Sequence, residues 1–183
     1  MTRGENAGCV ILSGTGSDGT IGLRAIKEAG GLTIAQADAT YDGMMRSAVG
    51  TGMVDFILPV DAIAHQVIDY FSFTRDMHRS QQDQAATTEA ADQLAAVIAL
   101  LRTRTGNDFS GYKDKTIVRR VHRRMHVLQI PDMDQFVERL RNDPREVTLL
   151  FQDLLIGVTE FFRDREAFAA LKQKVIPELF RNK

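Results

Sequence analysis

The apolar run Cys9-Val-Ile-Leu12 opens into Ser13-Gly14-Thr15-Gly16-Ser17-Asp18-Gly19 and then into the amphipathic stretch Thr20 to Ala29. A strand that passes through a glycine loop directly into a helix is the opening of a β-α-β unit, because parallel strands require a crossover. Gly30-Gly31 ends that helix, since glycine accepts the left-handed conformation a helix C-cap requires. Leu32 to Ala35 reads as the second strand, Gly43 to Val49 as a short helical turn, Met53 to Leu58 as a third strand closed by Pro59, and Asp61 to about Phe71 as a helix. Three such strands leave edges and faces bare, so the stretch is expected to be one part of a doubly wound parallel sheet, with an edge open to self-association.

From about Ser72 to Thr105 the composition shifts to Gln, Ala, Thr and Asp, and Ser80 to Thr88 reads as a linker. Leu94, Val97, Ile98 and Leu101 then recur at i, i+3, i+4 and i+7, one side of a helix that either packs on the C-terminal helical domain or forms a coiled-coil seam. Beyond Gly106 the periodicity is helical throughout: Thr116 to Leu128, Met133 to Asn142, Arg145 to Leu155 and Arg165 to Phe180. Pro131-Asp132 and Asp143-Pro144 start helices rather than interrupt them. The fold class is therefore an α/β segment, a partial parallel doubly wound sheet, followed by a linker helix and a small all-α bundle. The expected division is 1–72 for the α/β part, 73–105 for linker and amphipathic helix, and 106–183 for the helical domain.

The 183 residues are 44% hydrophobic and 26% charged, a globular composition. No apolar run approaches the ~20 residues that span a bilayer, and the first residues lack a signal-peptide core, so the expected location is the cytoplasm without membrane insertion. Cys9 reads as a small buried side chain, with no Cys or His neighbour suited to zinc. A formal net charge of −1 argues against a protein that coats nucleic acid.

The loop from Ser13 to Gly19 should aim backbone amides toward the carboxyl end of the sheet, where open α/β folds build sites. Its G-x-G-x-x-G spacing, with Asp38 about 20 residues on, admits a dinucleotide, although Asp18 would set a carboxylate where a pyrophosphate must sit. The sequence Cys9 to Gly31, with Ile34-Ala-Gln36, Met44-Met-Arg-Ser-Ala48 and Gly52-Met-Val-Asp-Phe56, resembles the last third of the chemotaxis receptor methylesterase domain. In that family a Ser-His-Asp triad hydrolyses γ-methyl esters of receptor glutamates, and the resemblance gives Asp18 the role of triad aspartate. Its task would be to orient a histidine and stabilise the imidazolium formed during serine attack. The family's serine and histidine lie on earlier strands, so no hydrolysis is expected of these residues alone. Thr15 stands where many members have methionine, and Met45 where many have proline. His65, after Pro59, reads as a solvated helix histidine.

Between Gly111 and His126 stand Lys113, Lys115, Arg119, Arg120, Arg123 and Arg124 against the single Asp114. At about 100° per residue the four arginines fall within roughly 140° of arc, opposite Ile117, Val118, Val121, Met125 and Leu128. The cationic side is open to three readings: a solvated face, a nucleic-acid surface, which lacks interleaved aromatics, or a surface for an acidic protein helix, since arginine forks match carboxylates. His122 and His126, four apart, lack the Glu of H-E-x-x-H and flank two arginines that repel a metal cation, so no metal is expected.

Phe109 to Phe180, with Tyr112 to Met125 and Thr159-Glu-Phe-Phe-Arg163, resembles the helical N-terminal domain of the chemotaxis receptor methyltransferase. That family moves a methyl group from S-adenosylmethionine to receptor glutamates. The resemblance implies that Thr159 and Arg163 contact the cofactor or the glutamate, and that Gly157 occupies a cofactor position where some members carry asparagine. It also implies that Arg119, Arg120, Arg123 and Arg124 read the glutamate-rich cytoplasmic helices of chemotaxis receptors. The chain as a whole is similar to a methylesterase-methyltransferase fusion truncated at both ends. The expectation is an inactive enzyme fragment, with a non-catalytic module for acidic helices as the alternative and a dinucleotide-binding fragment as the second.

Overall fold

A computed structural model describes residues 4–81 and 88–156, with the single positions 171 and 173. The expected helix Arg165 to Phe180 and much of the Ser80 to Thr88 linker lie outside the described residues. Strands β1 (Gly8–Ile11), β2 (Leu32–Gln36) and β3 (Phe56–Leu58) form a parallel sheet in the order β1-β2-β3, with Cys9 opposite Thr33 and Ile34 opposite Phe56. The central strand carries the burial: Leu32 to Ala35 are all inaccessible, as expected of a parallel strand covered on both faces.

Helix α1 (Thr20–Ala29) ends as Gly30 enters the left-handed region at φ 97°. The Gly30 amide donates to Lys27 O and the Gly31 amide to Ile26 O, which pairs two carbonyls the helix end leaves over. Helix α2 (Gly43–Gly50) comes next, and Ile11, Leu23 and Ala48 form a small core between β1, α1 and α2.

Helix α3 (Val60–Gln81) is ten residues longer than its expected end at Phe71. No Gly or Pro interrupts it, Thr74 is fully buried, and Arg75 and Asp76 are exposed, so the change of composition at Ser72 falls within the helix. Tyr70, also fully buried, donates its hydroxyl to Glu5 O at 3.2 Å, and burial pushes its phenol up to about 12.

Helices α4 (Thr88–Thr105), α5 (Asp114–Leu128), α6 (Met133–Asn142) and α7 (Pro144–Leu155) enclose a second core. Val97 and Leu101 of α4 are fully buried there with Phe136, Leu140 and Leu150, so the amphipathic stripe packs on α6 and α7. Asp132 and Asp143 accept amide hydrogen bonds at the starts of α6 and α7. A third core crosses between the halves: Val127 of α5 packs with Leu32, Ile34, Ile63 and Tyr70.

Candidate functional site

Asp18 lies exposed in the loop between β1 and α1, and among the described residues its carboxylate makes no hydrogen bond or ion pair. The loop is fixed from behind. The Ser13 amide donates to Gln36 Oε1 at 2.9 Å, the Gly14 amide to Tyr41 O at 2.8 Å, and the Met44 amide to Gly14 O at 3.0 Å. A Cβ on Gly43 would come within 3.0 Å of the Gly16 amide nitrogen, so the chain entering α2 packs directly on the loop. The first two loop amides are thus turned inward and not toward a pyrophosphate, while Asp38 accepts from Gln36 at 3.3 Å. Gly16 and Gly19 both adopt positive φ, at 83° and 84°, which glycine alone tolerates without strain. His65 is exposed on α3, with Nδ1 3.4 Å from Asp61 O of its own helix.

The expected cationic face of α5 is corrected by the structure: Arg120, Arg123 and Arg124 are buried, and of the four arginines only Arg119 is exposed. The apolar side of α5 packs into the helical core, and the opposite side lies against the sheet-bearing half. The helix is therefore covered on both sides.

The guanidinium of Arg123 bridges two carboxylates, with Nη2 2.6 Å from Asp55 Oδ2 and Nη1 2.6 Å from Asp153 Oδ2, and it donates to Gly31 O at 2.8 Å. Lys27 sits beside the same pair, 2.6 Å from Asp55 Oδ1 and 3.1 Å from Asp153 Oδ1. Asp55 also accepts from the Thr33 amide at 3.0 Å and the Thr33 hydroxyl at 2.8 Å. Arg124 forms a two-point pair with Glu146 at 2.6 and 2.8 Å, the fork geometry that makes arginine-carboxylate pairs strong. Arg120 donates from Nη1 to Lys27 O and Glu28 O, at 3.4 and 3.3 Å, and so caps the negative end of α1.

This packing sets the electrostatics. Burial pulls the Asp55 carboxyl upward, yet Arg123 and Lys27 outweigh it and hold the acid well below the usual carboxylate range. Burial opposes the Arg123 charge too, and Asp55 and Asp153 more than restore it. Lys27 is pushed down by burial and by Arg123, against the pull of its two carboxylates.

Sequence reasoning misses Lys27, Asp55, Glu146 and Asp153. The available signal is a charge on an apolar register, such as Asp153 beside Val147, Leu150 and Leu154 on one side of α7. Thr159, Arg163 and Gly157 lie outside the described residues. The groove between α4 and α6, lined by Asp92, Gln93, Asp134, Glu138 and Arg141, does not fit S-adenosylmethionine, since its lining has no aromatic to stack a base and no glycine loop. His122 is partly buried, and burial lowers its pKa. No group of three or more metal-ligating side chains occurs among the described residues, and none of their helices is long and apolar enough to cross a membrane.

Residues 1–67 match the CheB methylesterase family, and residues 92–155 match the CheR methyltransferase all-alpha domain. The chain joins a CheB-type methylesterase segment to a CheR-type methyltransferase segment. An uncharacterized 104.1 kDa protein in the hypE 3' region of Rhodobacter capsulatus is 38% identical over 197 residues, covering 96% of this chain and 21% of that protein. The CheB-type segment is 55% identical over 62 residues to a protein-glutamate methylesterase/protein-glutamine glutaminase of Haloarcula marismortui, covering 33% of this chain and 17% of the relative. It is 46% identical over 67 residues to the corresponding protein of the group 3 operon of Rhizobium meliloti, covering 36% and 19%. The chain thus spans about a fifth of the length of the curated relatives it matches. No solved structure matches it. The charge cluster of Lys27, Asp55, Arg123 and Asp153 lies where the CheB-type and CheR-type segments meet.

Proposed function

We propose that this chain is the junction of a bifunctional, cytoplasmic enzyme that removes and adds methyl groups on glutamates of chemotaxis receptors. The observation that supports this most is the succession of two segments of opposite chemistry within one chain, packed through a shared buried interface. In this reading Asp18 is the triad aspartate of ester hydrolysis. Its exposed carboxylate, on a loop braced by Gln36, Tyr41 and Gly43, suits a group that must meet a histidine from another strand.

Thr159, Arg163 and Gly157 belong in the same reading to the side of the methyltransferase that faces S-adenosylmethionine, which supplies the methyl group. An arginine there would keep the receptor glutamate ionised and aligned. The partner is a glutamate-rich receptor helix, approached by α5 through Arg119 and its exposed neighbours Lys113 and Lys115.

The test is a paired assay of methyl transfer and methyl-ester hydrolysis on receptor fragments, run on the natural gene product and on the 183-residue chain. Asp18→Asn should abolish hydrolysis and spare transfer, and Arg163→Ala should do the reverse. A natural product with neither activity, or an Asp18→Asn variant that still hydrolyses esters at the original rate, would overturn the reading.

A further inference from the structure

The CheR-type segment satisfies part of the charge cluster from its own residues: Arg123 with Asp153, and Arg124 with Glu146. The CheB-type segment adds acceptors aimed at the remaining valences of α5. They are the Asp55 carboxylate for Arg123 and, at 3.5 Å, for Arg124, the Gly31 carbonyl for Arg123, and the Lys27 and Glu28 carbonyls for Arg120. A carboxylate backed by main-chain oxygens is what an acidic helical partner would also offer a pair of guanidinium groups. Arg119, Arg120 and Arg123 fall within about 100° of the α5 surface, so one ligand could reach all three. With the CheB-type segment seated, Arg120 and Arg123 are 3% and 2% exposed and closed to any such ligand. The junction combines these ion pairs with the apolar contact of Val127, and desolvation offsets much of the attraction of the ion-paired part. It can open more readily than an apolar seam of equal size.

We infer that the CheB-type segment is an internal occluding ligand of α5: Asp55 and the carbonyls at the end of α1 hold Arg120 and Arg123 in place of an acidic partner helix. Resting on the reading that α5 engages glutamate-rich receptor helices, the segment and the receptor compete for the same two arginines. Arg119, Lys113 and Lys115 can meet a receptor with the junction closed, and Arg120 and Arg123 join them only when it opens.

Affinity of a glutamate-rich helical peptide for the whole chain, measured by fluorescence anisotropy at low ionic strength, tests this. Asp55→Asn should tighten binding by about tenfold. Adding Arg120→Glu to Asp55→Asn should remove that gain. Amide hydrogen exchange of the wild-type chain gives a readout independent of any variant: saturating peptide should speed exchange at Thr33, whose amide donates to Asp55, and at Gly30 and Gly31. Equal peptide affinity for wild type and a folded Asp55→Asn chain, or unchanged exchange on binding, overturns the occlusion and leaves the receptor reading standing. Peptide binding by neither chain overturns the receptor reading and the occlusion with it. Should Asp55→Asn fail to fold, the wild-type exchange pattern decides alone.

Discussion

Arg123 holds two carboxylates from different halves of the chain within 2.6 Å, and at 2% exposure water cannot substitute for it. Removing it would leave Asp153 with Lys27, and Asp55 with Lys27 and the more distant Arg124 at 3.5 Å. Arg123→Ala is therefore expected to lower stability by about 3–5 kcal/mol, the cost of leaving buried charges uncompensated. Arg123→Lys should recover only part of this, because an ammonium cannot span both carboxylates and Gly31 O with a planar fork. Denaturant unfolding of the three proteins measures it, and an Arg123→Ala loss below about 1 kcal/mol, the value of an exposed pair, would show that the cluster holds little together. The cluster is not legible in the sequence. A row of arginines opposite an apolar stripe reads as a solvent face, since periodicity records which residues differ and not what each side meets. Asp55 gives a faint sign, as the charge in Met53-Val-Asp-Phe-Ile57. Asp18 stands out through family resemblance, and the positive φ angles on either side of it are ones that glycine accepts without strain.

At the level of elements, boundaries marked by local chemistry are the legible ones. Helix α6 runs over Met133–Asn142, as its periodicity predicts, because Asp132 takes the Asp134 and Gln135 amides on its side chain at 2.8 and 3.0 Å. Asp132→Ala should cost about 1 kcal/mol through loss of that cap. Thermal unfolding monitored by circular dichroism would detect it, and an unchanged midpoint would mean that packing of Phe136 and Leu140 alone fixes the helix start. Helix α1 is equally legible from Gly19 and Gly30-Gly31. Where the chain relies on tertiary contact, local pattern fails. Helix α3 continues past Phe71 because Thr74 buries and Phe73 sets its ring 5.9 Å from that of His126, partners that no local pattern announces. Strand β3 is shorter than its apolar run. Ahead of it the Thr33 hydroxyl donates to Met53 O, and the Asp55 amide donates to Thr33 O at 2.9 Å, so that stretch stays tied to β2 while its carboxylate serves the charge cluster.

For the molecule as a whole, the junction makes stability depend on pH in a direction the geometry sets. Asp55 titrates below its ordinary range because Arg123 and Lys27 favour its charged form more than burial opposes it. A carboxylate whose folded pKa lies below its unfolded value near 3.9 contributes stability that is complete above about pH 5 and lost as pH falls toward the folded value. Lys27 acts at the other end: its lowered pKa means that stability rises as the solution becomes alkaline enough to neutralise it, so it gives no protection against acid. The two segments share Val127 and the charge cluster, so they should unfold in one cooperative transition at neutral pH. As pH falls through the carboxylate range the junction should weaken first, and calorimetry should resolve one transition into two before either core is lost. The helical core of Val97, Leu101, Phe136 and Leu150 is held by apolar packing and by the internal Arg124–Glu146 pair, independent of Asp55, and should be the later transition. Asp55→Asn should reduce the acid dependence of the splitting, with Asp153 left as the junction's ion-paired carboxylate, while keeping the neutral-pH order. Two separate transitions already present at pH 7 would mean that the halves are not coupled, and that the arginines of α5 are held by their own segment alone.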